Sequence, residues 1–353
     1  MSKPISEAVQ PAAYPDHSSV LGTRRSPAKA TGMLVLVTLL WGLSFSLMKN
    51  WHIAAASCPG GPAVAGLTMV ALRMFLAIGV LAVVLPRLFV APSRREFGIG
   101  FLLGAINSIG FAFQVIGLAW TSPALSAFVT SLASAWVPLL MFVLFRVSVH
   151  RLTLIGLILG IGGAAVLGIR TGSEDGASAI TFGWGEVLTF LSTWFFALVI
   201  VFLDRFGRGV ESAHFTVAFL TGTGLPALGI VLMMTAARSE TAAWLGWTSE
   251  MLSSPLIWRD LGLLTVLCTV LTFHWFNVYQ PRVAASRAAL IYLLEPVFAS
   301  IFSLLWGHDM LGLYLIVGGS LILVGNALVE VPAWFRSNPR PWKNEILNRS
   351  PDR

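Results

Sequence analysis

Few ionisable side chains lie within the apolar stretches of this sequence, and these few are the natural candidates for chemistry. Arg73, His274 and Glu295 lie well inside such stretches, whereas Lys49 lies near the end of another. An ionisable group inside a bilayer costs about 2.5–3.5 kcal/mol on insertion scales, so it is usually retained for a function. We expect Glu295 to bind a substrate or a proton. We also expect Arg73 to face the same cavity and to pair with Glu295 in at least one state.

Glu295 is the strongest of these candidates because its predicted helical neighbours are small or aromatic. Residues three, four or seven positions away share a helix face. They are Ala288, Tyr292, Ala299 and Phe302. Pro296 removes a backbone hydrogen bond directly after Glu295, which predicts a kink within the helix. The alternative is a structural charge that Arg73 or helix-end groups satisfy.

Weaker candidates for the same cavity are polar or aromatic. Asn107 and Gln114 are seven positions apart, hence on one helix face, and Tyr292 and Trp41 are aromatic. His274 on an apolar helix is more often a hydrogen-bonded core residue than a ligand. No HExxH motif and no cluster of carboxylates is present. We therefore predict no catalytic residue, no metal and no cofactor, so that the protein is not an enzyme.

The elements that position these residues are predicted to be membrane-spanning helices. Of the 353 residues, 56% are hydrophobic and 11% are charged, whereas about 25% are charged in an average soluble chain. Too few charges are present to cover a water-soluble surface of this size, so we expect the lipid bilayer to be the solvent. Apolar stretches long enough to span run over 31–49, 64–85, 97–119, 122–145, 152–169, 182–203, 213–235, 260–279, 283–306 and 309–329.

The basic residues predict the orientation of these ten stretches. Eighteen Lys and Arg lie in the tails and loops on the side of both termini, and four, Lys49, Arg170, Arg238 and Arg259, lie on the opposite side. Positive charge marks the cytoplasmic side, so both termini are predicted to be cytoplasmic. The net charge of +7 is scattered over short loops, which argues against binding of nucleic acid.

An internal repeat divides the chain. Glycines and prolines recur in order at an offset of 156 to 158 residues. The matches are Gly156-Leu157 with Gly312-Leu313, Gly162-Gly163 with Gly318-Gly319, Pro138 with Pro296, and His150 with His308. Each half then holds five spans, and an odd number inverts the second half relative to the first. Inverted repeats are typical of secondary transporters, whose substrate site lies between the repeats near the midplane.

The predicted fold is therefore an all-α integral membrane protein of about ten helices in two inverted five-helix repeats. The first repeat is placed at 31–169 and the second at 182–329. The remainder is predicted as a disordered tail over 1–30, an external linker over 170–181 and a cytoplasmic tail over 330–353. The segment 236–258, with Trp244 and Trp247, is predicted as an external loop at the membrane interface.

Several segments resemble EamA-like proteins of the drug/metabolite transporter superfamily. They are Arg287 to Ala299, Thr121 to Leu139, Trp41-Gly42 with Phe45 and Lys49, Leu72-Arg73, and Gln280. The resemblance covers about 31–329. It implies ten helices around a central cavity and export of metabolites or drugs across a bacterial inner membrane. It also implies roles for Trp41, Lys49, Arg73 and Glu295. The Gly-Glu pair common in the family after the fourth and ninth spans is replaced here by Ser148-Val149-His150 and Gly307-His308-Asp309.

These observations predict a secondary transporter that exports a small-molecule substrate by alternating access. Proton coupling through Glu295 and facilitated exchange both remain open, as do a monomer and a homodimer. An intramembrane enzyme and a channel are the alternatives. The enzyme would need clustered catalytic groups, and the channel would need a repeated polar lining or charged rings.

Overall fold

The computed structural model describes residues 27–84, 93–146, 151–167, 169–170, 179–180, 183–206, 212–280, 283, 291–310 and 312–337. The predicted tails over 1–26 and 338–353, most of the linker 170–181, His150 and the signature residues Arg287 to Leu290 lie outside this part of the chain.

Helices make up nearly all of the described structure. In chain order they are α1 (Pro27–Ala54), α2 (Gly61–Val84), α3 (Arg94–Trp120), α4 (Pro123–Thr130), α5 (Ala133–Phe145), α6 (Arg151–Leu167), α7 (Trp184–Phe206), α8 (Ser212–Ala237), α9 (Thr241–Met251), α10 (Pro255–Thr265), α11 (Thr272–Tyr279), α12 (Glu295–Leu305) and α13 (Leu313–Ser337). A π-helical turn, Val266–Leu271, joins α10 to α11. The two-residue strands Ile169–Arg170 and Ala179–Ile180 pair antiparallel.

The helices have the length and composition that a bilayer requires. Within the described residues, seven helical segments of 20 to 27 residues are apolar enough to span, and three shorter apolar helices lie at Leu154–Gly163, Glu295–Leu305 and Leu315–Gly325. Since about 20 residues cross the hydrocarbon core, the predicted all-α membrane fold is confirmed. The count of ten spans and the inverted repeat stay predictions.

Two of the predicted spans are interrupted where the sequence analysis placed continuous helices. The stretch 122–145 divides into α4 and α5 at Ser131 and Leu132. The predicted kink within the ninth span is wrong, because a turn at Leu293 and Leu294 ends before Glu295, and Glu295 is the first residue of α12. Pro296 thus lies in the first turn of a helix, where its missing N–H would have had no partner.

Close approach at two glycines sets the packing of the helices. A Cβ added at Gly42 would lie 2.8 Å from the backbone nitrogen of Ala299, so α1 could not otherwise lie directly against the start of α12. A Cβ at Gly163 would lie 2.7 Å from the carbonyl oxygen of Gly318, which brings α6 and α13 together. Small residues permit this approach in membranes, where the lipid provides no hydrophobic drive between helices.

The segment before α10 packs onto the bundle. Trp244 and Trp247 on α9 are buried. The indole nitrogen of Trp244 donates to Thr68 Oγ1 on α2 at 2.9 Å, and Trp247 packs edge-on against Trp51 with ring centroids 6.2 Å apart. The segment predicted as a loop therefore contains the helix α9, whose two tryptophans bury their rings against neighbouring helices, and its external position at the membrane interface stays a prediction.

Candidate substrate cavity

A cavity of about 160 Å³ lies among the helices and collects most of the predicted residues. Its walls come from α1, α2, α3, α4, α5, α7, α8, α11 and α12, together with Tyr292. Six of the eight predicted residues line it, namely Trp41, Arg73, Asn107, Gln114, Tyr292 and Glu295. Lys49 and His274 do not.

Arg73 supplies a cation to this cavity without a carboxylate partner. Its side chain is 2% exposed, and its guanidinium lies over the ring of Phe111, 4.6 Å from the centroid. Nη1 lies 3.5 Å from the sulfur of Met48, and Nε has no hydrogen-bond partner. Among the described residues, no ion pair joins Arg73 to an acidic group. The aromatic face offsets part of the cost of burying the charge, and a substrate anion could offset more.

Glu295 contributes an acidic side chain to the lining of the same cavity. It begins α12, where the unpaired N–H groups of the first turn give the helix end a partial positive charge. This position lowers the cost of an ionised carboxylate inside a membrane. No hydrogen bond among the described residues involves its carboxylate. The predicted pairing of Arg73 with Glu295 is not formed in this structure, although both residues line one cavity, and pairing in another state stays a prediction.

Aromatic rings form one side of the cavity. Trp41 on α1 lies 5.2 Å from Phe276, 5.8 Å from Tyr292 and 6.3 Å from Phe273, measured between ring centroids. The hydroxyl of Tyr292 donates to Gln280 Oε1 at 3.2 Å, which holds its ring against this wall. Such rings offer a substrate a rigid apolar surface and faces that attract cations.

Amides and hydroxyls form the polar part of the lining. Gln114 Nε2 donates to Thr130 Oγ1 at 3.1 Å, and Asn107 Nδ2 donates to Thr223 Oγ1 at 3.3 Å. These bonds fix each amide nitrogen and leave its oxygen able to accept. The break between α4 and α5 adds Ser131 and Ser134 to the lining.

The sequence analysis missed the contribution of α7 and α8 to the walls. Phe196, Val199 and Ile200 on α7 and Phe219 on α8 line the cavity. They carry no charge and occur among many similar apolar residues, so nothing in their type or spacing distinguished them. Phe111 was missed for the same reason, although its position four residues after Asn107 offered a signal.

Lys49 and His274 lie elsewhere. The ammonium of Lys49 donates to the carbonyl oxygens of Leu118, Ala119 and Thr121 at 3.0, 3.2 and 2.8 Å. Lys49 therefore caps the C-terminal end of α3, where cations are favoured. His274 is half-buried on α11 and does not line the cavity. In the described part of the chain, no group of three or more His, Cys, Asp or Glu could hold a metal ion.

Comparisons with known proteins agree with this architecture. Residues 183–331 match the EamA-like transporter family. An uncharacterized transporter of Archaeoglobus fulgidus is 24% identical over 313 residues, which cover 84% of this chain and 84% of the relative. An uncharacterized transporter of Bacillus subtilis is 24% identical over 304 residues, which cover 84% of this chain and 90% of the relative.

A solved structure supports the fold. A crystal structure of a protein that is 19% identical superposes with a TM-score of 0.56 and covers 89% of this chain and 100% of that chain. At this identity the likeness concerns the fold alone. The sequence matches agree with the resemblance drawn from the sequence: the chain is a multi-pass membrane protein, its second half matches the EamA-like transporter family, and both relatives are named as transporters.

Proposed function

We propose that the protein is a secondary transporter that exports a small molecule across a bacterial inner membrane by alternating access, with both termini in the cytoplasm. The substrate binds in the cavity, and Glu295 carries the coupling proton. The substrate has an apolar body, which the aromatic wall of Trp41 and Phe276 contacts, and at least one charged group.

The observation that carries this proposal is a cavity that contains a basic and an acidic side chain without an ion pair between them. Arg73 and Glu295 line the same space without an ion pair between them. Each charge inside a membrane costs about 2.5–3.5 kcal/mol on insertion scales. A pair kept for stability alone would be expected to close up and recover part of that cost. Residues kept apart are available to a ligand.

Glu295 is the better of the two for carrying a proton. A carboxylate changes its charge at accessible pH, whereas a guanidinium stays protonated. A substrate cation and a proton would compete for the same carboxylate. This competition would couple export of the one to import of the other, because binding of either displaces the other.

The test is the composition of the medium around cells that overproduce the protein. Wild-type cells should release at least one metabolite that cells producing Glu295→Gln do not release. Glu250→Gln is the matched control, because Glu250 is an exposed carboxylate on α9 and its loss should leave release unchanged. Equal release by wild type and Glu295→Gln at equal protein levels would contradict the assignment of Glu295.

Flux measurements distinguish this proposal from the two alternatives, a channel and an intramembrane enzyme. A transporter that works by alternating access shows counterflow, in which unlabelled substrate on one side drives uptake of labelled substrate from the other. A channel shows no counterflow, and an intramembrane enzyme changes the substrate chemically. Counterflow of the unchanged metabolite in proteoliposomes would exclude both.

A further inference from the structure

A second polar cluster lies at the end of the bundle that carries Lys49, apart from the cavity. Here helices α1–α6 meet helices α7–α13 through hydrogen bonds between side chains. Asn50, directly after Lys49, donates from Nδ2 to Asp260 Oδ2 at 2.9 Å. Arg259 Nε donates to the other oxygen of the same carboxylate at 2.7 Å. The last turns of α1 are thereby tied to the middle of α10.

Asn50 also binds the connection between α12 and α13. His308 Nε2 lies 2.9 Å from Asn50 Oδ1. Since the amide nitrogen of Asn50 already donates to Asp260, its oxygen is the acceptor, and His308 Nε2 must carry the hydrogen. One amide therefore bridges three elements, and both of its functional groups are used.

Two further bonds join the same halves of the chain. Asp309 Oδ2 accepts from the backbone N–H of Ala124 at 3.1 Å and from Ser303 Oγ at 2.5 Å. Ala124 lies in the first turn of α4, where a carboxylate is favoured. Thr121 Oγ1, in the turn after α3, donates to Glu186 Oε1 on α7 at 2.8 Å.

These bonds lie beyond the cavity along the helices. Asn50 follows the cavity residue Phe45 by five positions on α1, and Ala124 precedes the cavity residue Thr130 by six positions on α4. At a rise of 1.5 Å per residue, the bonds lie roughly 7–9 Å from the cavity wall. A substrate that leaves the cavity toward this end must pass between the elements that the bonds join.

We propose that these bonds form a polar lock that closes the cavity at the Lys49 end and separates once in each transport cycle. The polar lock consists of Asn50, Thr121, Glu186, Asp260, His308 and Asp309. The proposal rests on the alternating access described above and assigns it a gate.

The chemistry of the polar lock suits a gate that must open into water. Hydrogen bonds within a protein are exchanged for bonds to water when the groups separate, so opening costs little net free energy. An apolar seam of the same extent would expose hydrophobic surface on opening and would favour the closed state in every cycle. Thr121, Glu186 and Asp260 are buried and the other three groups are partly buried, which keeps the bonds ordered while the gate is closed.

The test measures access to the cavity and needs no substrate. Ser131→Cys, which lines the cavity, serves as the reporter in a background with Cys58→Ser and Cys268→Ser. The rate of labelling by a membrane-impermeant methanethiosulfonate reagent is measured in right-side-out and in inside-out vesicles. Labelling does not depend on transport, so a failure of the proposed function remains distinguishable from a failure of the polar lock.

Asn50→Asp is the principal variant, because it preserves shape and places a second carboxylate against Asp260. We expect labelling from the Lys49 end to rise about tenfold as the population shifts toward the open state. Adding Asp260→Asn to Asn50→Asp exchanges the two groups, restores a donor and an acceptor, and should return labelling to the background rate. Because a second substitution would not restore a protein that had lost its fold, this rescue distinguishes an effect on gating from a general loss of structure.

His214→Ala is the matched control at the opposite end of the bundle, where His214 Nδ1 lies 3.8 Å from Glu96 Oε2. It should not raise labelling from the Lys49 end. The polar lock is overturned by any of three outcomes: unchanged labelling in Asn50→Asp, no rescue in the exchanged pair, or an equal rise in His214→Ala.

Discussion

The ionisable groups of the cavity and those at the Lys49 end of the bundle differ in how they are paired. In the cavity, Arg73 and Glu295 line one space and do not pair with each other. At the Lys49 end, the ammonium of Lys49 donates to three carbonyls, and the carboxylates of Asp260 and Asp309 each accept two hydrogen bonds. The difference supports the proposal that Arg73 and Glu295 bind a ligand, whereas the groups at the Lys49 end join helices through hydrogen bonds.

The largest expected effect concerns Arg73. Arg73→Met keeps an unbranched, flexible side chain and removes the charged guanidinium, so export should fall below about a tenth of wild type. The protein itself should become more stable by about 1 kcal/mol, since burial of the charge costs about 2.5–3.5 kcal/mol and stacking on Phe111 returns about 1–2 kcal/mol. Export and the thermal midpoint in detergent are measured on the same preparation. A fall in both quantities would show that Arg73 is a structural charge, and it would contradict the contrast between the cavity and the Lys49 end.

The next effect concerns Lys49. Lys49→Met leaves the carbonyls of Leu118, Ala119 and Thr121 without their donor, which should lower stability by about 2–3 kcal/mol. Lys29→Met is the control, because Lys29 is exposed at the start of α1. Thermal unfolding in detergent measures both variants. If Lys49→Met and Lys29→Met unfold alike, the carbonyls find other partners and Lys49 is not a helix-capping residue.

The sequence predicts those features of the fold and the cavity that depend on residue type, and it does not predict those that depend on backbone contacts. Hydropathy and the distribution of Lys and Arg are properties of the chain itself, and they led to the membrane fold. Charges in apolar stretches likewise pointed to Arg73 and Glu295. The partners of Lys49 are backbone carbonyls, which no residue type reveals. The break before Glu295 depends on how the chain packs around Gly42, and Pro296 alone could not distinguish a kink from a helix start.

A smaller effect concerns pH at the polar lock. Burial lowers the pKa of His308, the charge of Lys49 lowers it further, and Asp309 partly opposes them. With a folded pKa below the unfolded value of about 6.5, the contribution of His308 to stability is complete above that pH and is lost as the pH falls below it. Between pH 7.5 and pH 5, wild type should therefore lose about 2 °C more of its thermal midpoint than His308→Gln. An equal loss of thermal midpoint in wild type and His308→Gln would show that His308 does not contribute to the polar lock.

The last prediction concerns Cys58, in the turn between α1 and α2. Burial, and then the charge of Glu240, raise the pKa of its thiol to about 12. Since the thiolate is the reactive form, Cys58 should react with a maleimide at pH 7.5 at least about a hundredfold more slowly than a cysteine placed at the exposed Ser253. Rapid labelling of Cys58 would show that water reaches this end of the bundle.

The most direct test of the central claim uses the metabolite that wild-type cells release. Labelled metabolite is added to proteoliposomes with an opposing proton gradient, and accumulation by wild type, Glu295→Gln and Glu250→Gln is measured. Wild type and Glu250→Gln should accumulate the metabolite against its gradient, whereas Glu295→Gln should not respond to the proton gradient. Full proton-driven accumulation by Glu295→Gln would contradict the claim that this carboxylate couples transport to protons.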